Sequence, residues 1–249
     1  MADSESGVRM SLFEHLAELR RRLLVCAMTV LAAAAATFSF SSDILRWLTE
    51  PLGAELVFLS PTEAFWVSFK VSLIVGLLIA LPVVLYQGWR FVAPGLYRTE
   101  RRYAAAFVIG SCLFFALGLV FCAFVALPFA LKFLIAFGVE RGMKPMISAQ
   151  MYVDFALKMY LAFGLIFEVP LAVTLAGRMG VVTPAFLARN RRYALLVNAV
   201  LAAVLTPTSD LFNMAIMLVP LTVLYEIGIL GVRIFGQRRP APETATASS

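Results

Sequence analysis

Long apolar segments alternate with short charged segments along almost the whole chain. A helix needs about 20 apolar residues to cross a bilayer. The apolar segments lie at 23–40, 66–91, 103–127, 152–176, 193–205 and 213–232. This pattern predicts an all-α membrane protein, with six transmembrane helices in one membrane domain over residues 1–235. The fifth and sixth segments are short and predict local thinning of the bilayer. Residues 236–249 lack periodicity and are predicted to be a disordered tail.

Local signals predict where some of the helices begin and bend. Ser11 to Glu14 fits the S-x-x-E capping box, so a helix is expected to begin at Leu12 and lie along the membrane surface before the first span. Ser60 to Glu63 supplies an N-cap, a proline at the first helical position and a capping glutamate. The apolar run from Tyr103 to Phe137 has no polar turn. It is therefore predicted to be one helix that passes the outer surface and bends at Pro128.

Composition excludes an ordinary water-soluble protein. Of the 249 residues, 61% are hydrophobic and 14% are charged. A net charge of +6 would suggest nucleic-acid binding in a soluble chain, but here the cations lie between apolar runs, so no nucleic-acid partner is predicted. Of the 21 Lys and Arg residues, 15 fall on one predicted side, and the others are Arg46, Lys70, Lys132, Arg141, Lys144 and Lys158. The positive-inside rule then places both termini in the cytoplasm.

The chain lacks the side-chain combinations of common enzyme classes. His15 is the single histidine, so no Ser-His or Cys-His pair is available within the membrane. There is no GxxxxGK[ST] segment for ATP. Cys26, Cys112 and Cys122 lie inside apolar runs without metal-ligand spacing. We therefore predict no catalytic residue, no cofactor and no metal.

Glu168 is the most informative single residue. A carboxylate in the middle of a span is costly unless it is neutral, paired or hydrated, so it marks a candidate functional polar cavity. Pro170 frees a backbone carbonyl nearby and favours a local polar patch. The alternative is a protonated glutamate that is hydrogen-bonded to a neighbouring helix.

Residues 91–102 form a charged island between two long apolar segments. Glu100 is the one acid there, among Arg98, Arg101 and Arg102. A single carboxylate in a basic loop is a candidate receptor for a cation. The alternative is that Glu100 offsets its arginine neighbours at a helix start.

Two further acids favour more local roles. Asp210 follows a run of turn-forming residues and is predicted to cap the last helix. Glu226 lies close to the inner end of the last span, from where it could reach the lipid head groups.

Several of these motifs, taken in order, resemble the TatC family, the multispanning core of the twin-arginine protein translocase. They cover nearly the whole chain short of its two tails. The motifs are HLAELRRR at 15–22, SPTEAF at 60–65, PVVLYQ at 82–87, FVAPGLYRTERR at 91–102, FGLIFEVP at 163–170, TPTSD at 206–210 and the segment 220–226.

The resemblance implies a receptor and core scaffold that binds signal peptides with paired arginines at the cytoplasmic face. The implied recognition site lies at Glu18 and Glu100, where two carboxylates from separate segments can each accept a forked guanidinium that a lysine could not replace equally. The positions implied to shape this site are Arg20, Leu96, Arg101 and Arg102.

The resemblance also implies roles outside the recognition site. Glu168 matches a membrane-embedded glutamate that faces a concave groove. Positions tied to assembly or activity are Pro51, Phe91, Asp210, Asn213 and Glu226. The family usually has a glutamine just after the outer aspartate, whereas this chain has Asn213 and then Met214. A polar contact near the last span is therefore expected to be lost or moved to Asn213.

The implied partners are TatA-type and TatB-type single-span proteins, signal peptides of folded cargo, other copies of the chain and membrane lipid. The implied location is the inner membrane of a prokaryote, where the proton motive force drives export. From the residues alone, a proton-coupled transporter of small solutes that uses Glu168 is the alternative, and a purely structural scaffold is a third class. The transporter is weakened because the chain lacks two related halves with matched broken helices.

Overall fold

The computed structural model describes residues 12–52, 56–92, 104–205 and 211–236, and nearly all of them are helical. In chain order the elements are α1 (Leu12–Phe38), α2 (Ser41–Thr49), a 3₁₀ turn (Glu50–Leu52), β1 (Leu56–Val57), α3 (Glu63–Val92), α4 (Ala104–Phe121), a π-helical segment (Cys122–Ala126), α5 (Leu127–Val139), β2 (Ile147–Ser148), α6 (Ala149–Phe167), α7 (Val169–Arg178), α8 (Pro184–Arg189), α9 (Arg191–Leu205) and α10 (Leu211–Phe235).

Five helical stretches of the described residues are long and apolar enough to cross a membrane. They are Phe13–Phe38, Glu63–Phe91, Phe107–Val139, Ala149–Arg178 and Leu211–Phe235. The predicted fifth span, 193–205, lies in α9, which has 15 residues, fewer than the about 20 that a perpendicular crossing needs. The prediction of six spans therefore stays a prediction. The last span was expected to be short, and this is wrong, because α10 has 25 residues.

The long apolar run after residue 103 is one helical rod with a local defect. The π-helical segment Cys122–Ala126 joins α4 to α5. Pro128 lies in the first turn of α5. Inside a continuous helix a proline lacks an N–H, and its ring would crowd the carbonyl four residues earlier. A π segment widens the helix by one residue in a turn, so it accommodates this proline without ending the helix.

The chain divides into two compact units, and the first comprises residues 1–112 and 147–153. Within it, α1 packs along α3. A Cβ added at Gly76 would lie 2.5 Å from the backbone nitrogen of Ala34, so the glycine permits close approach of the two helices. Nearby, the buried Thr37 hydroxyl donates to the carbonyl of Ser72 at 3.1 Å.

Glu63 ties together the loop end of the first unit. Its Oε2 accepts hydrogen bonds from the backbone N–H groups of Leu59 at 2.6 Å and Ser60 at 3.3 Å. The Ser60 contact is the predicted capping contact, but α3 begins at Glu63 and not at Pro61. Oε1 of Glu63 accepts from the Ser148 hydroxyl at 2.5 Å and the Gln150 N–H at 2.7 Å. Beside it, β1 and β2 pair in parallel. The hydrophobic pattern did not predict this short ladder.

The second unit comprises residues 113–146 and 154–249. In it, α10 packs against α7, α8 and α9. Small residues allow the close contact with α7, since a Cβ added at Gly231 would meet the hydroxyl of Thr174 at 2.1 Å. The rings of Phe133 and Phe212 stack with centroids 4.0 Å apart.

Candidate functional site

Glu18 lies in a polar cluster where the first turns of α1 meet the last turns of α3. Arg22, one helical turn later, donates to Oε1 of Glu18 from Nε at 3.2 Å and also from Nη2. The same guanidinium donates from Nη1 to the side-chain oxygen of Gln87 at 3.2 Å. Oε2 of Glu18 is buried and accepts no hydrogen bond from any residue that the structure describes. Glu18 thus keeps one charged acceptor that is not used.

Two aromatic contacts hold the helix ends around this cluster. The imidazole of His15 stacks on the ring of Phe91, with centroids 4.3 Å apart and an interplanar angle of 19°. The buried indole of Trp89 stacks on the ring of Phe107 at 4.6 Å. The first contact joins α1 to α3 and the second joins α3 to α4. The predicted site residue Phe91 therefore packs next to the turn that carries Glu18.

The other predicted recognition residues are mostly not in the described part of the chain. Arg20 is exposed on α1. Glu100 and the shaping residues Leu96, Arg101 and Arg102 lie outside the described residues. The meeting of Glu18 with Glu100 therefore stays a prediction.

Glu168 lies at a break between two helices in the second unit. α6 ends at Phe167 and α7 begins at Val169, with Glu168 at the N-cap position and Pro170 in the first turn. Its own N–H donates to the Leu165 carbonyl at 3.1 Å. The side chain is half-buried. The break follows from Pro170, which has no N–H and favours the first turn of a new helix.

The second unit also contains an apolar pocket with a volume of about 600 Å³. Its walls come from the α4–α5 rod, the end of α6 and α10, and include Phe121, Val125, Phe167 and Pro220. Glu168 is not among its lining residues. The predicted groove with a membrane-embedded glutamate therefore stays a prediction.

Glu226 forms a forked ion pair with Arg191. Its position in the sequence suggested only that it could reach the lipid head groups. Arg191, at the start of α9, donates from Nε to Oε1 at 2.7 Å and from Nη2 to Oε2 at 2.8 Å. This hydrogen bonding raises the pKa of Arg191 above its usual value, so the guanidinium stays charged. Close by, Tyr225 donates to the carbonyl of Leu187 at 3.1 Å. Both contacts fasten α10 to the α8–α9 region.

A family model described as Sec-independent protein translocase protein (TatC) matches residues 14–220. The chain belongs to the TatC family. This confirms the resemblance seen in the motifs. The chain is therefore a multi-pass membrane component of a protein translocase and not an enzyme.

Similar TatC proteins cover almost the whole chain. The chain is 39% identical to the Sec-independent protein translocase protein TatC of Desulforapulum autotrophicum, over 95% of this chain and 89% of that protein. It is 41% identical to the TatC protein of Aquifex aeolicus, over 88% of this chain and 93% of that protein. A crystal structure of a twin arginine translocase receptor, TatC, superposes with a TM-score of 0.78 and is 39% identical. That match covers 89% of this chain and 99% of the crystallised chain.

The TatC residues predicted for assembly or activity have different environments. Asn213, in the first turn of α10, is buried with 1% of its surface exposed. The backbone of Pro51 lies in the 3₁₀ turn after α2. Asp210 lies outside the described residues. The roles that the TatC resemblance implies for these positions stay predictions.

Three contacts in these TatC clusters were not predicted from the sequence. The Glu18–Arg22 contact carries a readable signal, since an acid four residues before an arginine forms a pair on a helix face. The Arg22–Gln87 and Arg191–Glu226 contacts join residues 65 and 35 positions apart. No local periodicity predicts them, because they depend on how the helices pack.

Proposed function

We propose that this chain is the receptor of the twin-arginine translocase and that Glu18 accepts a guanidinium of the signal peptide. The observation that carries the proposal is the unused Oε2 of Glu18, a charged acceptor at the junction of α1 and α3. A carboxylate binds a guanidinium through short, charge-assisted hydrogen bonds of fixed geometry. An arginine side chain in the same chain already makes such a bond to the other oxygen.

Glu100 is the proposed second acceptor, for the other arginine of the pair. Glu100 lies four residues before Ala104, the first residue of α4. The covalent chain therefore keeps the Cα atoms of Glu100 and Ala104 within about 14 Å of each other. The Trp89–Phe107 stack holds the start of α4 against the end of α3, which carries Gln87 of the Glu18 cluster. These links favour Glu100 being close enough to Glu18 to share one short peptide.

The neighbouring residues of the proposed site have supporting roles. Arg20, Arg101 and Arg102 would orient the two acids, and Leu96 would contact an apolar side chain of the signal. The orientation we propose has both termini in the cytoplasm of a prokaryote, with the site at the inner face of the inner membrane. The excess of 15 of 21 cations on that side supports this orientation.

Assembly is proposed to involve positions in both units. TatA-type and TatB-type single-span proteins, and other copies of this chain, are the proposed partners. The proposed positions are Pro51, Phe91, Asp210, Asn213 and Glu226, and transport would be driven by the proton motive force. Burial of the amide of Asn213 within a membrane helix supports a polar contact there.

Peptide capture tests the recognition proposal. Purified protein in lipid nanodiscs would be titrated with a labelled twin-arginine signal peptide and with its twin-lysine version. We expect Glu18→Ala and Glu100→Ala each to reduce capture of the twin-arginine peptide at least tenfold, because a charged acceptor is lost. Glu14→Gln, one turn before Glu18, is the matched control and should keep capture within twofold. Unchanged capture in both alanine variants would reject the proposal.

Glu168 is proposed to act after binding, during transport. Its position at a helix break supports a polar site within the membrane, where a carboxylate is costly unless it has a function. Glu168→Ala should lower export of a folded reporter while peptide capture stays within twofold of the wild type. If Glu168→Ala exports the reporter as well as the wild type does, Glu168 has only a structural role. Accumulation of a small solute under a pH gradient by the protein alone would instead favour the transporter.

A further inference from the structure

Arg22 already occupies part of the carboxylate that we assign to a signal arginine. Its Nε and Nη2 both approach the same oxygen of Glu18, Oε1. The bound group is a guanidinium, the same chemical group that the peptide would bring. The side chains of Arg22 and Glu18 are largely covered, with exposed fractions of 13% and 23%.

A second guanidinium cannot make a full fork to Glu18 while Arg22 stays in place. A fork needs both carboxylate oxygens in one plane. Oε1 is held by Arg22, and Oε2 is buried. The peptide therefore has to replace Arg22 to use both oxygens.

Gln87 offers Arg22 another acceptor. The Nη1 group of Arg22 already donates to the side-chain oxygen of Gln87 at 3.2 Å, and the backbone carbonyl of the same residue lies 3.5 Å away. Both are neutral acceptors, which bind a guanidinium less strongly than a carboxylate does. Arg22 thus prefers Glu18 when no peptide is present and keeps a partner when it leaves.

We infer that Arg22 is an internal competitor for the signal peptide, held on Glu18 in the free receptor and released to Gln87 on binding. The inference rests on the proposed function, because it takes Glu18 as the acceptor of a signal arginine. A competitor of this kind lowers the apparent affinity of every ligand that uses Glu18 by one common factor, the fraction of receptor in which Glu18 is available. It weakens binding without changing the preference between ligands, which favours later release of the cargo.

The common factor makes the test specific. In nanodiscs, Arg22→Gln should raise the affinity for both the twin-arginine and the twin-lysine peptide about three- to tenfold, with their ratio unchanged. Arg22→Lys keeps the charge but cannot reproduce the two nitrogens that Arg22 places on Oε1, so it should act in the same direction by a smaller factor. If Arg22→Gln proves unstable, the result for Arg22→Lys still decides the test. A drop in twin-arginine affinity, or no change, in these variants would overturn the inference.

Gln87 supplies a second, independent test. Gln87→Leu removes the alternative acceptor, so displacing Arg22 becomes costlier and peptide affinity should fall about threefold. The same substitution should have no effect in the Arg22→Gln background. An equal effect in both backgrounds would show that Gln87 acts without Arg22 and would overturn the inference. If the wild type fails to prefer the twin-arginine peptide, the proposed function fails and the inference with it. A normal preference together with unaltered Arg22 variants overturns the inference alone.

Discussion

The two glutamate–arginine pairs of this protein use the same groups in opposite ways. Arg191 and Glu226 lie on different helices, and both oxygens of the carboxylate are engaged at 2.7 and 2.8 Å. Arg22 and Glu18 lie four residues apart on one helix, and the residues that the structure describes engage only one of the two oxygens. The first pair fastens α9 to α10. The second leaves a charged acceptor unused in the cluster that Gln87 completes.

The difference shows that the identity of two residues does not decide whether their contact is structural. What decides it is the number of carboxylate acceptors that the protein itself uses. A carboxylate whose oxygens are all used has little to offer a ligand, whereas a partly used one that is covered can bind a new donor strongly. The comparison therefore supports our proposal that Glu18, and not Glu226, accepts a guanidinium of the signal peptide.

Glu63 extends the comparison to a carboxylate in which both oxygens accept hydrogen bonds. Its replacement should cause the largest loss of stability among these variants. Glu63 accepts four hydrogen bonds and has 3% of its surface exposed. Glu63→Ala should lower the free energy of unfolding by about 3 kcal/mol or more, because buried donors lose a charged acceptor. Thermal unfolding in detergent measures this loss. Peptide affinity of the folded fraction should stay within twofold, and a selective loss of peptide binding would contradict the comparison.

The packing of α1 on α3 offers a way to break the Glu18 cluster from a distance. A Cβ at Gly76 would approach the backbone of Ala34 within 2.6 Å, so Gly76→Ala must push the two helices apart. We expect a loss of about 2 kcal/mol in unfolding free energy from this overpacking.

Gly88 on the same helix is the matched control for Gly76. No atom of the described residues lies within 4 Å of a Cβ placed there. Gly88→Ala should be neutral or stabilise the helix by up to about 1 kcal/mol, because alanine is the better helix former. Equal effects of the two substitutions on thermal unfolding would show that close approach of α1 and α3 is not what holds this region together.

Breaking the exposed Arg191–Glu226 ion pair should cause the smallest loss of unfolding free energy. Arg191 and Glu226 have exposed side-chain fractions of 53% and 45%, so solvent screens their attraction. Arg191→Ala should lower the unfolding free energy by about 0.5–1 kcal/mol. The charge-swapped double variant, Arg191→Glu with Glu226→Arg, should recover most of that loss. A loss above about 3 kcal/mol, or a swap that recovers nothing, would mean that the pair does more than fasten two helices.

Much of the helical fold could be predicted from the sequence because apolar runs of span length have few other outcomes. The membrane helices and the capping contact of Glu63 follow from local rules. The bend expected at Pro128 stays a prediction, although a π-helical segment does precede that proline. The β1–β2 ladder could not be predicted, since it pairs Leu56 with Ile147 through strands of two residues each. The length of α10 was underestimated because its end carries no clear stop signal.

The acids of the candidate site could be predicted from the sequence, but the residues that they contact could not. Glu168 stands out because a carboxylate within an apolar span is rare and costly. Glu100 stands out as the one acid in a basic loop, whereas Glu18 was indicated only by the family resemblance. Arg22 is one of three consecutive arginines, and the sequence does not indicate which of them faces Gln87. That choice depends on how α1 packs against α3, since Arg22 and Gln87 lie on these two helices.

The most direct test of the central claim is a double-mutant cycle between Glu18 and the signal peptide. Wild type and Glu18→Gln would each be titrated with the twin-arginine peptide and with peptides in which one arginine at a time is replaced by its neutral isostere, citrulline. We predict a coupling energy of about 1.5 kcal/mol or more for one of the two arginines, because the pair is charge-assisted. A coupling energy near zero for both arginines would contradict the account.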